Sequence, residues 1–116
     1  MDITEQEAER IFKFIVKKLG YDYCRIENYY GSSSFQLIAV RNNKYYNYYD
    51  SVYVCTVTDD GYVRRIVGNS WIDMLKNVIQ YRNSKICCYI YVASFRNRFM
   101  VPKTLDELRI MVDLES

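Results

Sequence analysis

The sequence contains no histidine, one proline and only four glycines among its 116 residues. Without histidine there is no Ser-His-Asp or Cys-His catalytic arrangement, no HExxH metal site, and none of the usual acid–base catalysts for neutral pH. Four scattered glycines do not build the loops that hold nucleotide phosphates. These absences argue against an enzyme. We therefore expect no catalytic residue, no metal and no cofactor.

A signal peptide and a membrane-spanning segment are also missing from the pattern. The first residues are acidic, and no basic segment followed by an apolar run is present. The longest apolar stretch, residues 86–93, is much shorter than the roughly 20 residues that a helix needs to span a bilayer. We expect a cytoplasmic protein with no membrane partner. In that compartment its cysteines stay reduced: Cys24, Cys55, Cys87 and Cys88.

Half of the residues are apolar, which excludes a disordered or low-complexity chain and suits one domain over residues 1–116. The clearest element is a helix over residues 4–19. Its apolar residues recur at helical spacing, Thr4 and Glu7 form a capping box at its start, and Gly20 ends it. Similar signals predict a second helix that begins after Asn69 or Ser70 and a terminal helix over residues 104–114.

Between the helices lie segments rich in Val, Ile, Thr and Tyr, which are typical of strands. Residues 45–50 fit either the start of a strand or an aromatic loop, and residues 59–61, Asp-Asp-Gly, fit a hairpin turn. The order α-β-β-β-β-α-β-(β)-α predicts an α+β fold, with a mainly antiparallel sheet of about five strands and helices on one face. The predicted strands are residues 21–27, 35–41, 51–58, 62–67 and 85–95, with a short additional one at 99–101.

The net charge of +2 conceals an uneven distribution. Residues 61–103 carry eight basic residues and one acid, whereas residues 21–60 and 104–116 are net acidic. A basic segment of this kind suits an acidic partner, either nucleic acid or an acidic protein surface. The alternative is that folding places these bases beside the acids of the other two segments.

Alternation along the predicted strands separates aliphatic residues from tyrosines. Tyr53, Tyr89 and Tyr91 fall on the side away from the helices, with Arg96 and Arg98 close by. Such a face could stack nucleobases, bind a protein, or form a second core beneath the terminal helix and residues 42–50. The thirteen tyrosines also fit the codon bias of an AT-rich genome.

These features lead us to expect a small non-enzymatic binding protein, encoded by a phage or mobile element. It would inhibit a host macromolecule, a protein or a protein–nucleic-acid complex, by covering its surface, as anti-CRISPR-type anti-defence proteins do. The expected partner-binding residues are Tyr53, Tyr89, Tyr91, Arg96, Arg98, Tyr45, Tyr46, Tyr48 and Tyr49. The alternative is a nucleic-acid-binding module that uses Arg64, Arg65 and Lys85. A homodimer with a structural role is a third possibility.

Overall fold

The computed structural model describes residues 2–28, 35–82, 86–92 and 97–115, and these residues form three helices and a six-stranded antiparallel sheet. The predicted α+β fold and its element order are confirmed, and the short last strand is present. The elements are α1 (Glu5–Lys18), β1 (Tyr23–Asn28), β2 (Phe35–Asn42), β3 (Asn47–Thr58), β4 (Val63–Arg65), α2 (Trp71–Tyr81), β5 (Ile86–Val92), β6 (Arg98–Met100) and α3 (Leu105–Glu115). No helix in these described ranges is long and apolar enough to cross a membrane.

The helices begin at hydroxyl side chains, as the sequence predicts. Thr4 accepts a hydrogen bond from the backbone N–H three residues further on, at 3.1 Å, and Ser70 and Thr104 do the same for α2 and α3. Each bond satisfies one of the amides that the first helical turn leaves unpaired. Gly20 follows α1 with φ +94°, the left-handed conformation that glycine adopts without steric cost.

The Glu7 carboxylate of the predicted capping box at α1 has two partners. It contacts the Thr4 backbone, as predicted, and it also accepts two hydrogen bonds from the Arg109 guanidinium of α3, at 2.5 and 3.0 Å. The guanidinium bonds are charge-assisted and therefore the stronger of the two contacts. The Arg109 pair joins α1 to α3 and, together with the Thr4 contact, keeps the pKa of Glu7 below its usual value.

The sheet has the strand order β1-β2-β3-β5-β6, with β4 also paired to β3. Strand β3 is long enough to pair with two strands along one edge. Its first part pairs with β2 and its later part with β4, while β5 pairs with the other edge. This arrangement explains why β4 is shorter than the predicted 62–67. The Ile66 N–H still donates to the Val54 carbonyl at 2.7 Å, but Ser51 on the same edge already pairs with Ile38 of β2.

The structure also resolves the ambiguous segment 45–50, because β3 begins at Asn47 and residues 47–50 are strand rather than loop. Gly61 has φ +85° in the β3–β4 turn, as expected for the Asp-Asp-Gly hairpin. Residues 29–34 lie outside the described residues. So do Lys85 and residues 93–96, which include the candidate Arg96.

The core lies between the helices and one face of the sheet. All the apolar positions of the predicted α1 stripe are buried, and they form one cluster with strand residues from that face and with α2 and α3. The other sheet face is therefore left without a helix in the part of the chain that the structure describes. The strand members of the cluster are Cys24, Leu37, Ala39, Val52, Val54, Cys88, Ile90 and Val92.

Candidate functional site: a tyrosine-rich sheet face

Among the described residues, five tyrosines from three strands lie on the sheet face opposite the helices. The strand register places Tyr53 directly across from Tyr91, and Val40 lies between its two cross-strand neighbours Tyr23 and Tyr49. Directly paired residues point to the same side of an antiparallel sheet. We call this surface the tyrosine face and define it by Tyr23, Tyr49, Tyr53, Tyr89 and Tyr91.

Three arginines from flanking strands stack on these rings. The guanidinium carbons of Arg25 (β1), Arg65 (β4) and Arg98 (β6) lie 4.8, 5.2 and 4.6 Å from the ring centroids of Tyr49, Tyr53 and Tyr89. These distances are within the range of cation–π attraction. Three of the five tyrosines of the face therefore form Tyr–Arg pairs. Its basic side chains outnumber its acid, Glu27, which pairs with Arg25 at 2.5 Å.

Two rings stack directly on each other at the centre of the face. The Tyr53 and Tyr91 centroids are 5.4 Å apart with an interplanar angle of 24°, and the Tyr91 hydroxyl lies 3.6 Å from the Cys55 sulfur. Burial, followed by the contact with Cys55, raises the pKa of Tyr91 to about 12. The Tyr91 phenol therefore stays neutral at physiological pH.

The tyrosine rings cover a second, thin apolar layer on their side of the sheet. Ile38, Val40 and Cys55 point to the tyrosine face, yet only 8%, 0% and 4% of their surface is exposed. Their cross-strand neighbours are mostly tyrosines and arginines, whose long side chains extend over the smaller residues. Consequently, Tyr53, Tyr89 and Tyr91 are half-buried, whereas Tyr49 at the margin is 53% exposed.

The second core considered from the sequence does not form under the terminal helix. Helix α3 lies on the other side of the sheet, where Leu108 and Val112 join the main core and Arg109 holds Glu7 of α1. Residues 47–50 belong to β3 and do not fold over the face. Among the described residues, the tyrosine face is covered by its own side chains and by no other backbone layer.

The four tyrosines of residues 45–49 that are expected to bind a partner do not lie on one surface. Tyr49 belongs to the tyrosine face, but Tyr48, its neighbour in β3, pairs with Arg41 and points to the opposite side. Tyr45 and Tyr46 lie in the β2–β3 turn and are exposed. The Tyr46 and Tyr48 hydroxyls are 2.5 Å apart, and this hydrogen bond raises the pKa of Tyr48.

Arg64 and Arg65, expected to act together on nucleic acid, lie on opposite sides of the sheet. Arg65 stacks on Tyr53 of the tyrosine face, whereas Arg64 stacks on Tyr81 of α2 with its guanidinium carbon 4.6 Å from the ring centroid. Adjacent residues of a strand point to alternate faces, so one strand cannot present both to one ligand. Lys85, the third member of that predicted cluster, is outside the described residues.

The acids of residues 21–60 do not neutralise the basic segment. Asp50 accepts a hydrogen bond from the Tyr21 hydroxyl at 2.5 Å, and Glu27 pairs with Arg25. Both acids therefore bind residues of their own segment, 21–60, rather than residues of the basic segment. Acids of α3 pair with α1, as in Lys18–Glu115 at 2.6 Å. Within the described ranges, no ion pair involves any of four bases from residues 61–103: Arg64, Arg65, Lys76 and Lys103.

The cysteines are divided between the two faces of the sheet. Cys24 and Cys88 belong to the main core, and burial raises the pKa of each thiol to about 12. Cys55 and Cys87 point to the tyrosine face, and all four thiols are free. In the described part of the chain, no group of three or more Cys, Asp or Glu side chains is placed to hold a metal ion.

Strand alternation alone places Tyr23 and Arg25 on one side of β1, but it does not show that β1 and β3 share β2 as a neighbour. The contact of Arg25 with Tyr49 depends on that neighbour, since Val40 of β2 separates Tyr23 from Tyr49. The pairing of each arginine with a particular ring is therefore information that the structure adds. Comparisons of the chain with protein-family models, with curated proteins and with solved structures give no match.

Proposed function

We propose that the protein is a non-enzymatic binding protein that uses its tyrosine face to cover a surface of a partner protein. The observation that carries this proposal is the set of Tyr–Arg stacks on a sheet face that no described helix covers. Tyrosine and arginine are enriched among the residues that dominate protein–protein binding energies. A tyrosine already held by stacking loses little conformational entropy when a partner binds.

The stacked geometry supports a protein partner over a nucleic acid. Base stacking requires a free aromatic ring face. Here guanidinium groups lie over the rings of Tyr49, Tyr53 and Tyr89, and Tyr91 stacks on Tyr53. A nucleobase that stacked on these occupied ring faces would have to displace the contacts. A protein surface can instead contact ring edges, hydroxyls and guanidinium groups where they are.

The charge of the face defines the kind of partner surface. In the described part of the face, three arginines outnumber the one acid, Glu27, so the complementary surface carries acidic side chains around an apolar centre. We further propose that the partner is a host protein, or a protein–nucleic-acid complex, that this chain inhibits by occlusion on behalf of a phage or mobile element. Support for this setting comes from the sequence, which is short, lacks histidine and is rich in residues encoded by AT-rich codons.

The experiment is a nuclease-treated affinity capture from the host cell, quantified by mass spectrometry. The test variants are Arg65→Ala and Arg98→Ala, and the matched control is Arg64→Ala. Arg64 makes an equivalent stack on Tyr81, 4.6 Å from the centroid, but on the helix side of the sheet. We expect the control to retain the partner and each test variant to lose roughly tenfold or more of the affinity, as for a binding hot spot.

Two results would overturn the proposal. One is a partner that is retained equally by the wild type and both test variants. The other is tight binding of a fluorescent single-stranded oligonucleotide with an affinity that falls steeply with salt, since that dependence reports phosphate contacts. The second result would replace the protein partner with a nucleic acid.

A further inference from the structure

We propose that the free edge of β1 pairs with the same strand of a second copy of the chain, antiparallel and centred on Ile26. In the described residues, β1 pairs with β2 and with no other strand, so its outer edge presents main-chain N–H and C=O groups without a strand partner. Such an edge is a template for a further strand. At six residues, β1 is twice as long as β4 or β6.

The charges on β1 complement themselves in this register. Centring an antiparallel pair on Ile26 places Arg25 opposite Glu27 of the second copy, and two-fold symmetry repeats the pair. The Arg25 and Glu27 side chains are 43% and 50% exposed and form an ion pair within the strand, so Glu27 and Arg25 of the second copy would extend this pair into one cluster of alternating charges. Natural edge strands often carry charges that repel another strand. Here the charges are opposite in sign and equidistant from Ile26, so the symmetric pairing is attractive.

Self-complementarity also identifies the occupant as a second copy rather than an unrelated strand. An isologous interface places the same residues against each other in reverse order, and the sequence Arg25-Ile26-Glu27 satisfies this condition. The two-fold axis that relates antiparallel strands is perpendicular to the sheet. Both tyrosine faces therefore lie on the same side of one continuous sheet. This inference does not depend on the proposed function.

The test is the dissociation constant of the full chain by sedimentation velocity, from micromolar to millimolar concentration. We expect the wild type to dimerise. Arg25→Glu and Glu27→Arg each convert both cross-strand attractions into repulsions and should weaken the dimer by roughly tenfold or more. The double variant Arg25→Glu/Glu27→Arg exchanges the charges and should restore the wild-type constant. Lys76→Glu, an exposed charge reversal on α2, is the control and should have no effect.

A wild type that is monomeric throughout this range would overturn the inference. So would a dimer that the single charge reversals leave unchanged, because that dimer would use another surface. Far-ultraviolet circular dichroism verifies that each variant is folded. Arg98→Ala, which tests the proposed function, should leave the dimer intact, so failure of one proposal is distinguishable from failure of the other.

Discussion

Removal of the two central rings of the tyrosine face should reveal a measurable coupling between them. Tyr53 and Tyr91 occupy directly paired positions, and their rings stack 5.4 Å apart. Tyr53→Ala and Tyr91→Ala each remove a half-buried ring, for which we expect a loss of about 2 kcal/mol in the free energy of unfolding. The stack itself should contribute about 1 kcal/mol beyond the buried area.

The double variant should therefore lose about 3 kcal/mol rather than the 4 kcal/mol of two independent changes. The first single change already eliminates the stack, so the second cannot eliminate it again. In thermal unfolding, a coupling of 1 kcal/mol corresponds to about 4 °C in Tm for a domain of this size. The appropriate assay is urea unfolding of the wild type, both single variants and the double variant.

Tyr45, which is 81% exposed in the β2–β3 turn, supplies the control cycle. Tyr45→Ala should have almost no effect and should combine additively with Tyr53→Ala. Strict additivity of Tyr53→Ala and Tyr91→Ala would refute the stacked arrangement. Losses close to zero for both single variants would refute the half-buried layer.

Two further predictions concern the helix side. Burial raises the pKa of Cys24 and Cys88 from 9.0 to about 12, which lowers the thiolate fraction of each at neutral pH. Iodoacetamide should therefore alkylate both thiols about a thousandfold more slowly in the folded protein than in the urea-unfolded chain. Mass spectrometry follows the two rates. The pKa of Glu7 is lowered in the folded state by its hydrogen bond to Arg109, so its contribution to stability is complete above the usual value of 4.5 and disappears as the pH falls through the lower folded pKa. Glu7→Gln should thus reduce Tm at pH 7 and flatten the acid-side decrease in Tm, and identical slopes in wild type and variant would contradict the assignment.

The helices and turns could be predicted because their signals are local. The Thr4, Ser70 and Thr104 caps each act within three residues, and the apolar stripe of α1 repeats over one helix. The Arg109 partner of the Glu7 carboxylate, in contrast, is 102 residues away. A local pattern predicts the contact of Glu7 with the Thr4 backbone but gives no signal of this distant partner.

The side of the sheet on which the tyrosines lie could be predicted from the sequence, but their burial could not. Alternation indicates that Tyr89 and Tyr91 point away from the core, because each strand has a period of two residues. It does not show that Cys55 lies directly across from Tyr89 or that Ile38 and Val40 lie on the same face. These relations depend on strand order and register, which are set by contacts between distant segments. The half-burial of the central tyrosines is therefore a tertiary property.

The tyrosines of the face have two roles, and this determines which substitutions can test function. A tyrosine that covers the apolar layer also contributes to the exposed surface, so its removal changes stability and binding together. Arg98 lies directly across from Tyr91 rather than from Ile38, Val40 or Cys55, so its removal leaves these three residues covered, whereas Arg65 lies across from Cys55. Arg98→Ala should thus weaken partner binding at nearly constant Tm, whereas Tyr91→Ala should reduce both. A difference between arginine and tyrosine variants is the result expected for a binding surface built on a stable layer.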